Sequence, residues 1–105
     1  MKKILVVEDE YYARKSIVKI LQESDLDIQV CGEAVNGMKA IELLEEYKDI
    51  ALVITDIQMK KMGGLELASS LNPVKYHLRS LLRYRLRNQS QLLLSFRRYR
   101  YCRML

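Results

Sequence analysis

A chain of 105 residues, half of them apolar, is one small domain that can bury about two thirds of its unfolded surface. No stretch approaches the ~20 uninterrupted apolar residues of a membrane span, and Lys2-Lys3 lead only into a short apolar run, too brief for a secretory signal, so a cytoplasmic location is expected. The net charge of +5 is uneven: residues 1–74 carry nine basic and all thirteen acidic side chains, a balance of −4, whereas residues 75–105 carry nine basic side chains and no acid, a balance of +9.

Residues 2–7 predict a buried strand, because they are few, branched and apolar at consecutive positions. Glu8-Asp9-Glu10 closes it. Residues 11–24 predict a crossover helix with Ala13, Ile17, Ile20 and Leu21 turned inward and Arg14, Lys15 and Lys19 on other faces. Residues 28–32 form a more polar strand, suited to a sheet edge. Asn36 is a candidate N-cap for a helix that carries Met38, Ala40, Ile41, Leu44 and Tyr47 inward. Residues 51–55 predict a third strand, apolar on both faces, and Asp56 ends it. Gly63-Gly64 punctuates the following loop, and residues 65–71 begin a third helix that Asn72-Pro73 stops. This alternation implies an α/β sheet built from right-handed parallel crossovers.

Three carboxylates therefore stand at strand ends: Glu8, Asp9 and Asp56. Ligands of open α/β sheets bind beyond the carboxyl ends of parallel strands, so two acid-tipped strands side by side would converge their charges. Oxygen-only ligands suit Mg²⁺, which takes one or two carboxylates and shares its other positions with water and phosphate. Each acid alone reads as a solvated strand end; together they read as a cation site. Cys31 and Cys102 are far apart and fit no metal spacing, and Cys31 is expected as a small buried apolar residue.

The words around those acids, Ile4-Leu-Val-Val-Glu-Asp-Glu10, Ile54-Thr-Asp-Ile-Gln-Met59 and Met62-Gly-Gly-Leu-Glu-Leu67, resemble the receiver domain of bacterial two-component response regulators. The branch whose receivers precede an AraC-type DNA-binding domain is the most similar. The resemblance runs from Met1 to about Pro73, roughly seven tenths of the chain. It implies a flavodoxin-like fold with strand order 2-1-3-4-5, in which the third strand here would be an uncovered edge unless later residues pair with it. It further implies that Asp56 accepts a phosphoryl group from a sensor histidine kinase and that Mg²⁺ is the cofactor. Asp9 would contact the metal directly, Glu8 through water, and the backbone carbonyl of Gln58 would complete the protein's share. Such a chain is not expected to be an enzyme acting on a metabolite. Between Met59 and Met62, Lys60 stands where the family has proline. Gly63-Gly64 is expected to serve turn geometry, because no nucleotide-binding glycine spacing surrounds it.

Past Pro73 the resemblance ends, so the expected organisation is an incomplete receiver at residues 1–74 and a basic segment of unassigned structure at 75–105. The family's hydroxyl residue at the end of strand 4 and its lysine at the end of strand 5 have no counterpart: Ser69 and Ser70 lie in the third helix, and no lysine follows Lys75. Coupling of phosphorylation to a surface change thus lacks an identified element. A truncated or frame-shifted receiver is expected: loss of the reading frame would account for the break, and back-translating Val74-Lys-Tyr-His-Leu-Arg-Ser80 and shifting by one base permits, without requiring, a fourth strand ending in Ser-Ala. The rival reading is a basic nucleic-acid-binding segment. Arg79, Arg83, Arg85, Arg87, Arg97, Arg98, Arg100 and Arg103, interleaved with tyrosines, suit phosphate backbones, though no helix-turn-helix pattern and no zinc ligands accompany them. Leu78, Leu81, Leu82 and Leu86 have helical spacing, which admits a basic amphipathic helix on an anionic surface or on the receiver's own acidic face. His77 is expected to be incidental.

Overall fold

The computed structural model describes residues 1–57, 61–71, 78–86 and 89–96, the last two stretches as backbone. Three strands, β1 (Lys2–Val7), β2 (Ile28–Ala34) and β3 (Ile50–Asp56), alternate with the helices α1 (Tyr11–Gln22), α2 (Gly37–Glu46) and α3 (Gly64–Ser70). The consecutive apolar side chains of β1 are buried on both faces, as expected of a strand at the centre of a covered parallel sheet. Leu5, Val7 and Val53 face one layer with Ala40, Leu44 and Leu67 from α2 and α3; Ile4, Val6 and Ile54 face the other with Val18 of α1. Each buried Leu or Val contributes roughly 1.5–3 kcal/mol by leaving water.

Both α1 and α2 depend on local chemistry at their starts. Asn36 caps α2 as expected, its side-chain oxygen accepting from the Lys39 N–H at 2.9 Å. Glu10 caps α1 by accepting from the N–H groups of Tyr12 and Ala13 at 3.3 and 2.6 Å. The inward faces differ in part from expectation. In α1 the inward stripe is Arg14 and Val18, both buried, with Ile17 and Leu21 half-buried, an i, i+3, i+4, i+7 set; Ala13 is half-buried, while Ile20 is 56% exposed. Arg14 was expected elsewhere because of its charge, and Ile20 inward because it is apolar. In α2, Ala40 and Leu44 are buried and Ile41 and Tyr47 half-buried, but Met38, one residue past the helix start, is 56% exposed.

The sheet has the order β2-β1-β3-β5-β4, where β4 is Leu78–Leu86 and β5 is Gln89–Phe96. β1 pairs in parallel with both β2 and β3. β5 then pairs antiparallel with β3, from Leu52↔Ser95 to Asp56↔Gln91, and antiparallel with β4. The flavodoxin-like sheet is present in its first three strands and its C-terminal third is replaced, as expected from the break after Pro73; the replacement is an antiparallel hairpin in place of parallel strands 4 and 5. One expectation is corrected here. Leu78–Leu86, whose leucines admitted a helix, is a strand. A parallel addition beside β3 requires a crossover of a dozen residues or more, whereas a hairpin needs a loop of about two. The hairpin also covers the edge that β3 would otherwise expose.

Candidate functional site

The register of the parallel strands builds the site. Val7 lies opposite Ala34 on one side and Thr55 on the other, so the residues that follow β1 and those that finish β3 leave the sheet at one edge. There, one carboxylate oxygen from each of Glu8, Asp9 and Asp56 lies within 4.8 Å of the others. Asp9 and Asp56 are half-buried; Glu8 is buried, with 2% of its surface exposed. The Glu8 Oε2 accepts from the Glu10 N–H at 3.0 Å, while its Oε1 has no hydrogen-bond partner among the described residues.

Burial pushes the Glu8 carboxyl up to about 7 from its ordinary 4.5; the Glu10 N–H opposes this, and Asp9 and Asp56 add to it. A buried carboxylate oxygen without a partner costs about 1–3 kcal/mol or more. A divalent cation among the three acids would supply that partner and balance their charge, so this donor set fits Mg²⁺. The expected backbone ligand, Gln58, lies outside the described residues, as do Met59 and Lys60.

Several groups hold this edge together, and the roles of Arg14 and Glu33 among them carry no signal in the sequence pattern. Arg14 donates from Nη1 to the Glu8 carbonyl at 2.9 Å and from Nε to Glu33 Oε1 at 3.1 Å. Glu33 also receives Lys15 Nζ at 3.0 Å. Gly64 comes so close to β3 that a Cβ on it would lie 2.5 Å from the Asp56 carbonyl oxygen, and its N–H donates to the Ile57 carbonyl at 2.9 Å. That contact is a steric reason for the glycine after the third strand. Across the site, the Gly37 N–H donates to the Met62 carbonyl at 2.9 Å, and a Cβ there would overlap the Met62 side chain. The starts of α2 and α3 are thereby fastened near the acid-tipped strands.

Ser69 and Ser70 lie in α3, as expected, and Ser70 bonds its own helix at the Glu66 carbonyl. Cys31 is a half-buried free thiol packed against the core, its pKa raised by burial. Asn72-Pro73, His77, Cys102 and the arginines at 87, 97, 98, 100 and 103 lie outside the described residues. Among the described residues no helix is long and apolar enough to cross a membrane.

Known proteins share these elements. Residues 4–83 match the family "Response regulator receiver domain", a span that continues past Pro73 to Arg83. The chain is 39% identical over 64 residues, 61% of its length, to 17% of a protein-glutamate methylesterase/protein-glutamine glutaminase of Pyrococcus horikoshii. It is 37% identical over 73 residues, 70% of its length, to 30% of the transcriptional regulatory protein BtsR of Escherichia coli K12. Among solved structures, a LuxR-family two-component response regulator from Aurantimonas sp. SI85-9A1 superposes with a TM-score of 0.56 at 25% identity, over 62% of this chain and 45% of that one. The chain thus spans less than a third of the length of these two curated relatives. Their names are attached to different outputs, and do not single out an AraC-type branch.

Proposed function

Since the chain belongs to the response regulator receiver domain family, we propose that it is the phosphoacceptor of a two-component phosphorelay, taking a phosphoryl group onto Asp56 from the phosphohistidine of a sensor kinase. The observation that carries this reading is the convergence of Glu8, Asp9 and Asp56 at the ends of two adjacent parallel strands. The Asp56 carboxylate attacks phosphorus, the bond from phosphorus to the histidine nitrogen breaks, and an acyl phosphate results. Asp9 and Asp56 would hold Mg²⁺ directly, with Glu8 through water and the Gln58 carbonyl; when bound, the ion neutralises charge on the phosphoryl oxygens. In the metal-free protein, the proton that Glu8 retains up to about pH 7 limits repulsion among the three acids.

In this reading the chain works in the cytoplasm and is not an enzyme acting on a metabolite. Residues 1–74 are the receiver portion, and residues 75–105 are a basic, out-of-frame segment that replaces the family's last third. Coupling of phosphorylation to an output then has no identified element in residues 75–105, because no lysine follows Lys75 there to pair with the phosphoryl group. The excess of nine basic residues over no acid in that segment supports salt-sensitive, non-specific attraction to nucleic acid or anionic surfaces. The encoding DNA tests the frame: absence of any receiver-like continuation in the shifted frames removes that part of the reading.

Intact mass after incubation with Mg²⁺ and acetyl phosphate tests the rest. One phosphoryl group gained by the parent and none by Asp56→Asn is the expected result. No gain by a soluble, folded parent would mean that the acids are a relic.

A further inference from the structure

Glu8 is the last residue of the apolar run's ladder and the first of the acid cluster. Its N–H donates to the Ala34 carbonyl at 2.9 Å, which continues the pairing of β1 with β2. Its own carbonyl lies past the last strand pair, and a buried backbone acceptor there needs a partner from outside the sheet. Arg14 provides it at 2.9 Å from Nη1. The reach is a property of the helix: side chains lean toward the N-terminus, so a long one in the second turn of α1 returns toward the end of β1. The guanidinium is held in turn by Glu33 at 3.1 Å, and the Arg14 side chain is 11% exposed.

We infer that Arg14 is a positioning residue for the acidic cluster: by holding the Glu8 carbonyl, it fixes the plane of the Glu8-Asp9 peptide and with it the two carboxylates that face Asp56. This rests on the reading of the cluster as a Mg²⁺ site. One carbonyl belongs to the peptide that joins both acids, so a rotation of that peptide moves both oxygens of the donor set at once. Two further bonds make the arrangement stiff. The Glu10 N–H holds the Glu8 side chain at 3.0 Å, and the Arg14 N–H donates to the Glu10 carbonyl at 3.0 Å, which closes a ring from strand end to helix and back. A lysine would keep the positive charge but has no planar fork with which to hold the Glu8 carbonyl and Glu33 together. Glu33 is absent from the cluster and reaches it through the guanidinium it holds, while it also receives Lys15.

The test is Mg²⁺ titration by calorimetry on the full chain, with urea unfolding in EDTA as an independent measure of folding. Four proteins are compared: the parent, Arg14→Lys, Glu33→Gln and the Arg14→Lys/Glu33→Gln double variant, with Arg14→Gln added where it folds. Groups that orient metal ligands are typically worth 10- to 100-fold in affinity, so Arg14→Lys is expected to bind Mg²⁺ about tenfold more weakly while its unfolding transition stays cooperative. Glu33→Gln is expected to lose less. The double variant should bind no worse than Arg14→Lys alone, because both changes act on one contact. Unchanged affinity in folded Arg14→Lys, or losses that add in the double variant, would overturn the inference while leaving the metal site intact. A folded parent that binds no Mg²⁺ would instead remove the site reading on which the inference stands, and the inference with it.

Discussion

Residues 1–71 and the hairpin of residues 78–96 belong to one sheet but were assembled under different constraints. In the first region each strand is followed by a helix that covers it, and apolar side chains on both faces of β1 and β3 meet partners. The hairpin joins by antiparallel pairing along β3. The comparison teaches that an apolar strand edge recruits whatever extended segment can pair with it, because the ladder uses backbone groups that every non-proline residue possesses. The three acids all come from the first region: Glu8 and Asp9 follow β1, Asp56 ends β3, and α1, β2 and the starts of α2 and α3 fasten them, while the hairpin meets the site only where Asp56 pairs with Gln91.

The contrast can be broken most strongly in the first core. Leu5, fully buried between β2 and β3, is expected to lose about 2–5 kcal/mol of stability on Leu5→Ala, measured by urea unfolding. The matching change in the hairpin is Leu93→Pro, which removes the N–H of a residue paired with Ile54. Proline inside a ladder removes one of its hydrogen bonds and leaves the facing carbonyl unpaired, so a loss of up to about 3 kcal/mol is expected; an unchanged urea midpoint would show that β3 does not depend on β5.

A smaller effect sharpens the link between fold and site. Gly64→Ala would place a methyl 2.5 Å from the Asp56 carbonyl oxygen, so backbone must shift. A loss of about 1–3 kcal/mol is expected, together with slower uptake of phosphate from acetyl phosphate. Equal stability and uptake would show that the start of α3 is loosely held.

A different kind of effect is a pH dependence that originates in the first region. Folding raises the Glu8 carboxyl from 4.5 to about 7, so between these values the folded chain keeps a proton that the unfolded chain releases. Stability without metal therefore falls as pH rises through this window, and the penalty is complete above about 7. Urea midpoints in EDTA should be higher near pH 5 than near pH 8, and Glu8→Gln should flatten the difference. Added Mg²⁺ should stabilise the parent most at the upper end, where the carboxylate is ionised.

Much of the first region is legible in the residue pattern. Contiguous apolar runs bounded by acids mark β1 and β3, and the cap at Asn36 and the glycines after Asp56 mark helix starts. Arg14 defeats that pattern because a helical period alone does not reveal that a charged member of the stripe finds a buried carbonyl and a carboxylate. Ile20 defeats it for the converse reason, since an apolar side chain on the wrong arc stays in water. The C-terminal leucines are harder still. Leu78, Leu81, Leu82 and Leu86 satisfy a helical spacing, yet Leu78–Leu86 is a strand paired with β5.

By itself the sequence determined the class of sheet, the order of its first six elements and the identity of the three acids, because these follow from side-chain periodicity and from what ends each run. Only the tertiary structure decided that the acids meet within 4.8 Å, that Arg14 clasps the strand end and that an antiparallel hairpin closes the edge of β3. Those outcomes rest on register and on long-range pairing, in which residues far apart in the chain share one carbonyl, one ladder or one charge, and no local pattern records them.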